Sequence, residues 1–199
     1  MLLTALISSV ILLQSAPSIA PAPPTKVVEE QPKDANARIA RLIGPKLKMT
    51  DGKEVPTKDV LKGRKNVVLY FSASWCPPCR TFTPKLISFV KANSDSKDFV
   101  VILVGSDRNA SSHLNYFKKF GKDIYAVPYD KDRLTAVKRQ YSGNGIPNLV
   151  ILDQAGKAVK GSYETNGKYT PKNRGSYIGP DPVLSKLSEM VKESKNGVG

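Results

Sequence analysis

The chain of 199 residues contains two cysteines, Cys76 and Cys79, separated only by Pro77 and Pro78. They follow an apolar β-type run, Asn66-Val67-Val68-Leu69-Tyr70-Phe71, and stand at the start of a predicted helix over residues 79–92. Unpaired backbone N–H groups and the positive end of the helix dipole stabilise a thiolate at such a position. Cysteines so placed have pKa values lowered to about 3.5–7.5 and are nucleophilic at neutral pH. Prolines suit a first helical turn. They also remove donors, which leaves mainly the Cys79 N–H and S–H within reach of the Cys76 sulfur. A more reducing couple is expected than with a spacer that offers more N–H groups. A thiolate with a second thiol beside it is equipped for thiol–disulfide exchange.

Two other uses of the pair are weaker. A structural zinc site needs four ligands, and one histidine with no second cysteine pair does not supply them. No metal is expected. A purely structural disulfide is compatible with export, yet a bridge around two residues constrains the unfolded chain very little. The single histidine, His113, reads as a surface residue near the start of a helix and not as a catalytic base.

The elements that position the pair follow from hydrophobic pattern. Residues 99–104, Phe-Val-Val-Ile-Leu-Val, repeat the fully apolar character of 66–71, as suits strands of a parallel sheet buried on both faces. Between them Phe82, Leu86, Phe89 and Val90 line one helix face, so a β-α-β unit is predicted. Upstream, 46–49 reads as a short strand into a turn at Gly52, and 57–61 as a short helix stopped at Gly63. Downstream come helices over 110–120 and 131–141, a hairpin of 148–153 with 158–159, a long loop over 162–182 and a last helix over 183–192. This alternation implies an α/β fold, a three-layer sandwich on a mixed sheet.

Composition agrees with a globular domain: 40% hydrophobic and 24% charged residues. Past residue 13 no apolar run approaches the ~20 residues of a membrane span. The net charge of +14 governs non-specific attraction and not fold. Basic residues are interleaved with acids, as in Asp130-Lys131-Asp132-Arg133, which favours a solvated basic surface. The stretches 131–139 and 157–174 are the candidate carriers of a functional patch. Residues 1–25 carry no charge, and five of the 15 prolines fall between Pro17 and Pro32. The apolar first 13 residues, followed by small residues and prolines, have the shape of a secretory signal peptide, with an uncleaved anchor as the alternative. The expected division is a signal peptide over 1–20, a flexible Pro-rich linker over 21–37 and a folded domain over 38–195. An exported protein, periplasmic or secreted, is expected, with membrane contact only if the first segment stays attached.

The fifteen residues Tyr70-Phe71-Ser72-Ala73-Ser74-Trp75-Cys76-Pro77-Pro78-Cys79-Arg80-Thr81-Phe82-Thr83-Pro84 resemble the active-site segment of the thioredoxin superfamily, most closely its tryparedoxin and nucleoredoxin branch. The similarity continues through Asp51-Gly52-Lys53-Glu54-Val55, Gly105-Ser106-Asp107-Arg108, Val127-Pro128-Tyr129 and Gly145-Ile146-Pro147, over roughly residues 40–160. The resemblance implies a thioredoxin-like three-layer α/β/α sandwich with a central mixed β-sheet. It implies Cys76 as the exposed attacking thiol and Cys79 as the resolving one. Trp75 would shield and present the pair, and Pro84 would kink the helix. Pro147 would be a cis-proline facing the disulfide. A cis X–Pro bond costs only ~0.5–1 kcal/mol, and the missing N–H leaves the Ile146 backbone free to pair with an extended substrate. Trp75, Pro77, Pro78, Ile146 and Pro147 are thus the expected substrate-binding residues. One departure stands out: Tyr70 occupies the place of the buried acid that many thioredoxins use to take the resolving thiol's proton. Water or Glu54 are the remaining candidates.

The expected function is reduction of disulfides in exported proteins through Cys76 and Cys79, with no metal or organic cofactor. Protein disulfides or small thiols are the expected substrates, an upstream electron donor is required, and the chain is expected to be a monomer. Nucleic acid is not an expected partner. One alternative keeps the fold and inserts or isomerises disulfides. The other is a non-catalytic basic module that holds an acidic partner, nucleic acid or anionic lipid. The tyrosines of residues 162–177 read as part of a solvated loop, with a partner-contact surface as the second reading.

Overall fold

A computed structural model describes residues 36–171 and 176–196; the signal segment and almost all of the linker expected from the sequence lie outside them. In chain order the elements are α1 (Ala37–Ile43), β1 (Lys46–Lys48), β2 (Glu54–Pro56), α2 (Thr57–Leu61), β3 (Asn66–Ser72), α3 (Pro77–Ala92), β4 (Phe99–Gly105), α4 (Ala110–Phe117), β5 (Ile124–Ala126), α5 (Lys131–Tyr141), β6 (Asn148–Leu152), β7 (Ala158–Gly161), β8 (Glu164–Thr165), β9 (Lys168–Tyr169) and α6 (Asp181–Asn196). Seven strands form one sheet in the order β2-β1-β5-β4-β3-β6-β7. β3, β4 and β5 run parallel, while β6 lies antiparallel to β3 and β1 antiparallel to β5, so the sheet is mixed.

The two apolar runs become the central strands because both their faces are covered. Val68, Tyr70, Val101 and Leu103 point to one side and meet Phe82, Leu86 and Val90 of α3, Phe117 of α4 and Leu187 of α6. Val67, Leu69, Val100 and Ile102 point to the other and meet Ile39 and Ile43 of α1, Val60 of α2, and Leu134 and Val137 of α5. Alternation along each strand thus feeds two separate cores. Each large aliphatic chain buried there contributes roughly 1.5–3 kcal/mol.

Several elements differ from the sequence reading. The helix α1 was not expected; Asn36, in a left-handed conformation with φ 66°, anchors its start by donating from Nδ2 to the Leu61 and Arg64 carbonyls at 3.1 and 3.2 Å. β2 and β5, at three residues each, are too short to show a period. The expected loop over 162–182 contains the β8–β9 hairpin and the first residues of α6. Two of its tyrosines turn inward: Tyr163 is buried, and Tyr169 donates to the Tyr141 carbonyl. Tyr177, 43% exposed, donates to the Pro147 carbonyl at 2.8 Å.

Candidate functional site

The sheet delivers the cysteines to the carboxyl ends of the parallel strands, where loops of an open α/β sheet gather. β3 ends at Ser72, and Cys76 is the N-cap of α3 with Pro77 and Pro78 in the first turn. These prolines have no N–H, so the Cys79 amide is the first donor of the helix, and it reaches the Cys76 sulfur at 3.3 Å. Cys76 and Cys79 form a disulfide with Cα atoms 5.2 Å apart. Cys79 is fully enclosed and Cys76 is 3% exposed. Cys76 is therefore a sulfur at the wall of a groove, not one standing in solvent as the resemblance implied.

The groove, about 710 Å³, begins at Trp75, Cys76, Pro77 and Pro78 and runs to Ile146 and the last turn of α5. Pro147 does not line it; it is buried behind, with Ile146–Pro147 in the cis form. The Ile146 carbonyl approaches the Cys76 sulfur to 3.7 Å. A disulfide sulfur has no hydrogen to donate there, so this is a contact and not a hydrogen bond. Trp75 is 53% exposed, and its indole Nε1 donates to the Ser106 carbonyl at 3.0 Å. Pro84 lies inside α3, which continues through it to Ala92.

Beneath α3 the Tyr70 hydroxyl donates to the Cys79 carbonyl at 3.3 Å and lies 2.9 Å from Thr83 Oγ1. Thr83 and Ser72 each lie 2.8 Å from the Tyr116 hydroxyl. Burial pushes the Tyr70 hydroxyl well above its ordinary range, so it is a neutral hydrogen-bonding group and not a stand-in for the missing acid. Glu54 is not that acid either. It lies on β2, four strand positions from β3, or roughly 19 Å at the usual spacing. There it pairs with Lys48 and Lys46 at 2.9 and 3.5 Å, and the Lys48 ammonium holds its carboxyl below the ordinary range.

Sequence reasoning gave Asp107 no role, although it stands in the similar segment Gly105-Ser106-Asp107-Arg108, and it misplaced His113. Asp107 follows β4, and its enclosed carboxylate accepts the Ser74 amide and hydroxyl through Oδ1. His113 is buried, contrary to its reading as a surface residue. Nε2 donates to the Val127 carbonyl at 3.1 Å, and Nδ1 lies 3.9 Å from Asp107 Oδ2. Burial lowers the His113 pKa, partly opposed by the Val127 bond and by Asp107. The ring fills the space where a side chain on Gly105 would sit, which is why that strand ends in glycine. Beside that resemblance, the signal for Asp107 was its position: an acid just beyond a parallel strand next to the one that carries the cysteines. Among the described residues no group of three or more His, Cys, Asp or Glu side chains is placed to hold a metal ion.

Comparison with known proteins agrees with this geometry. A family described as thioredoxin-like matches residues 63–158. Nucleoredoxin of Xenopus laevis is 42% identical over 95 residues, 47% of this chain and 22% of that protein; the chain thus spans about a fifth of its length. Tryparedoxin of Trypanosoma brucei brucei is 36% identical over 99 residues, 49% of this chain and 67% of that protein. The crystal structure of thioredoxin from Wuchereria bancrofti superimposes with a TM-score of 0.56 at 32% identity, covering 75% of this chain and 97% of that one. With the cysteine pair on the first turn of α3, the mixed sheet beneath it and these matches, the chain belongs to the thioredoxin-like redox family, in its nucleoredoxin and tryparedoxin group.

Proposed function

We propose that the chain is a thiol–disulfide oxidoreductase that reduces protein disulfides. One observation carries this reading: the Cys79 amide points at the Cys76 sulfur, and that sulfur, not Cys79, borders an open groove. In the reduced protein the same amide and the dipole of α3 stabilise a Cys76 thiolate. The thiolate attacks one sulfur of a substrate disulfide; a Cys76–substrate S–S bond forms, and the substrate's own S–S bond breaks. The departing thiolate takes a proton from water. Cys79, once deprotonated, attacks the Cys76 sulfur, forms the Cys76–Cys79 bond and expels the second substrate thiolate. Two electrons pass to the substrate, and a thiol reductant must restore the dithiol.

In this reading Trp75, Pro77, Pro78 and Ile146 contact the substrate, with Pro147 holding Ile146 from behind. The work is placed outside the cytosol on the strength of the signal-like residues 1–20. Sequencing the amino terminus of the mature protein tests that placement: a start between residues 15 and 25 supports it, and an intact Met1 on soluble cytosolic protein opposes it. The chemistry is tested by trapping. Cys79→Ser should accumulate mixed disulfides with substrate, and Cys76→Ser should not; equal trapping by both variants refutes the assignment of roles.

A further inference from the structure

The groove has a charged wall that the exchange chemistry does not use. Lys138 and Arg139 close α5, where the helix dipole favours cations, and both line the groove that begins at Cys76. Among the described residues no aspartate or glutamate lines it. Arg139 is exposed and Lys138 half-buried, and neither is in an ion pair of 4.0 Å or less among the described residues. The carboxylate that Lys138 feels is Asp107, which lies behind the groove and is held by Ser74. Asp107 offsets part of one positive charge; that of Arg139 faces the groove.

Building on the oxidoreductase reading, we propose that the groove docks a disulfide-bearing polypeptide segment with acidic residues flanking its cysteine. The carboxylates pair with Arg139 and Lys138 while the disulfide meets Cys76. Room, backbone and charge together favour an acidic polypeptide. A volume of about 710 Å³ is large for a single side chain. The Ile146 backbone at the groove edge suits an extended chain. The overall charge of +14 draws an acidic partner towards this face.

The test uses full-length reduced protein and three substrates: two disulfide-bridged peptides of equal length, one with Glu and one with Lys on both sides of each cysteine, and neutral 2-hydroxyethyl disulfide. The acidic peptide is expected to react about tenfold faster than the basic one at low salt. That ratio should shrink towards one in 1 M NaCl, where the Debye length falls to about 3 Å. Arg139→Glu should bring the ratio to one or below, Lys138→Gln should lower it severalfold, and Lys192→Gln, on the remote surface of α6, should leave it unchanged. Equal rates for the two peptides, or a ratio untouched by Arg139→Glu, overturn the docking proposal while turnover of the neutral disulfide keeps the exchange chemistry intact. Failure with all three substrates removes the oxidoreductase reading itself. Inhibition of the acidic-peptide reaction by a DNA duplex as strong as that by a disulfide-free acidic peptide also overturns the proposal, since the wall would then be a general anion surface.

Discussion

Asp107 grips Ser74: a single carboxylate oxygen accepts the Ser74 amide at 2.9 Å and its hydroxyl at 2.6 Å, two residues before Cys76. The neighbouring Ser106 carbonyl receives the indole of Trp75. The loop that carries the first cysteine is thus tied at two consecutive residues to the end of the adjacent strand. Removing the carboxylate leaves two donors without their acceptor, at a cost of about 1–3 kcal/mol. Asp107→Ala should lower stability by that amount in urea unfolding and slow disulfide reduction. Asp107→Asn, which keeps an oxygen for Ser74, should recover part of both.

His113 makes stability depend on pH. Its folded pKa lies below the ordinary 6.5 because burial disfavours the imidazolium. Below pH 6.5 the unfolded chain therefore binds more protons than the folded one, and stability falls with pH until the folded value is reached. The contribution is complete above pH 6.5. Thermal unfolding followed between pH 8 and 5 should show a falling midpoint below 6.5. His113→Gln, neutral throughout, should flatten that slope.

The Tyr177 hydroxyl bonds the Pro147 carbonyl at 2.8 Å and so ties the segment after β9 to the loop that carries Ile146. Tyr177→Phe removes one partly exposed hydrogen bond, worth about 0.5–1.5 kcal/mol. A drop of that size in the urea midpoint energy is expected. The KM for a peptide disulfide should rise more than kcat falls, because the loop edge and not the sulfur chemistry is loosened.

Leu86, on α3, is fully buried between the helix and the sheet. Leu86→Ala should cost about 2–5 kcal/mol by loss of buried surface and creation of a cavity, measured by denaturant unfolding.

Long, strongly patterned elements were legible in the sequence. β3, β4, α3 and α5 lie where apolar runs and helical spacing put them, and the cysteine pair sits at the strand-to-helix junction as read. Of the short elements, β1 and α2 lie where they were expected, while β2, β5, β8 and β9 have two or three residues and are defined by their partners, not by a pattern of their own. His113 looked superficial because Ser111, Ser112 and Asn115 near it are polar, yet it shares the buried face of α4 with Tyr116 and Phe117, and Gly105 opens the space that takes its ring. The tyrosines after residue 162 looked like a loop surface because the carbonyls they bond, at Tyr141 and Pro147, are distant in sequence. Asp107 and the groove wall at Lys138 and Arg139 depend on which strands and helices become neighbours, which only the assembled sheet determines.

The first turn of α3 is expected to make the Cys76 sulfur acidic in the reduced protein. The rate of Cys76 alkylation by iodoacetamide, followed against pH by mass spectrometry in Cys79→Ser, measures this directly. A half-maximal rate well below the ordinary cysteine pKa of about 8.5 is the predicted result; a profile centred at that value, or a sulfur the reagent does not reach, would contradict it.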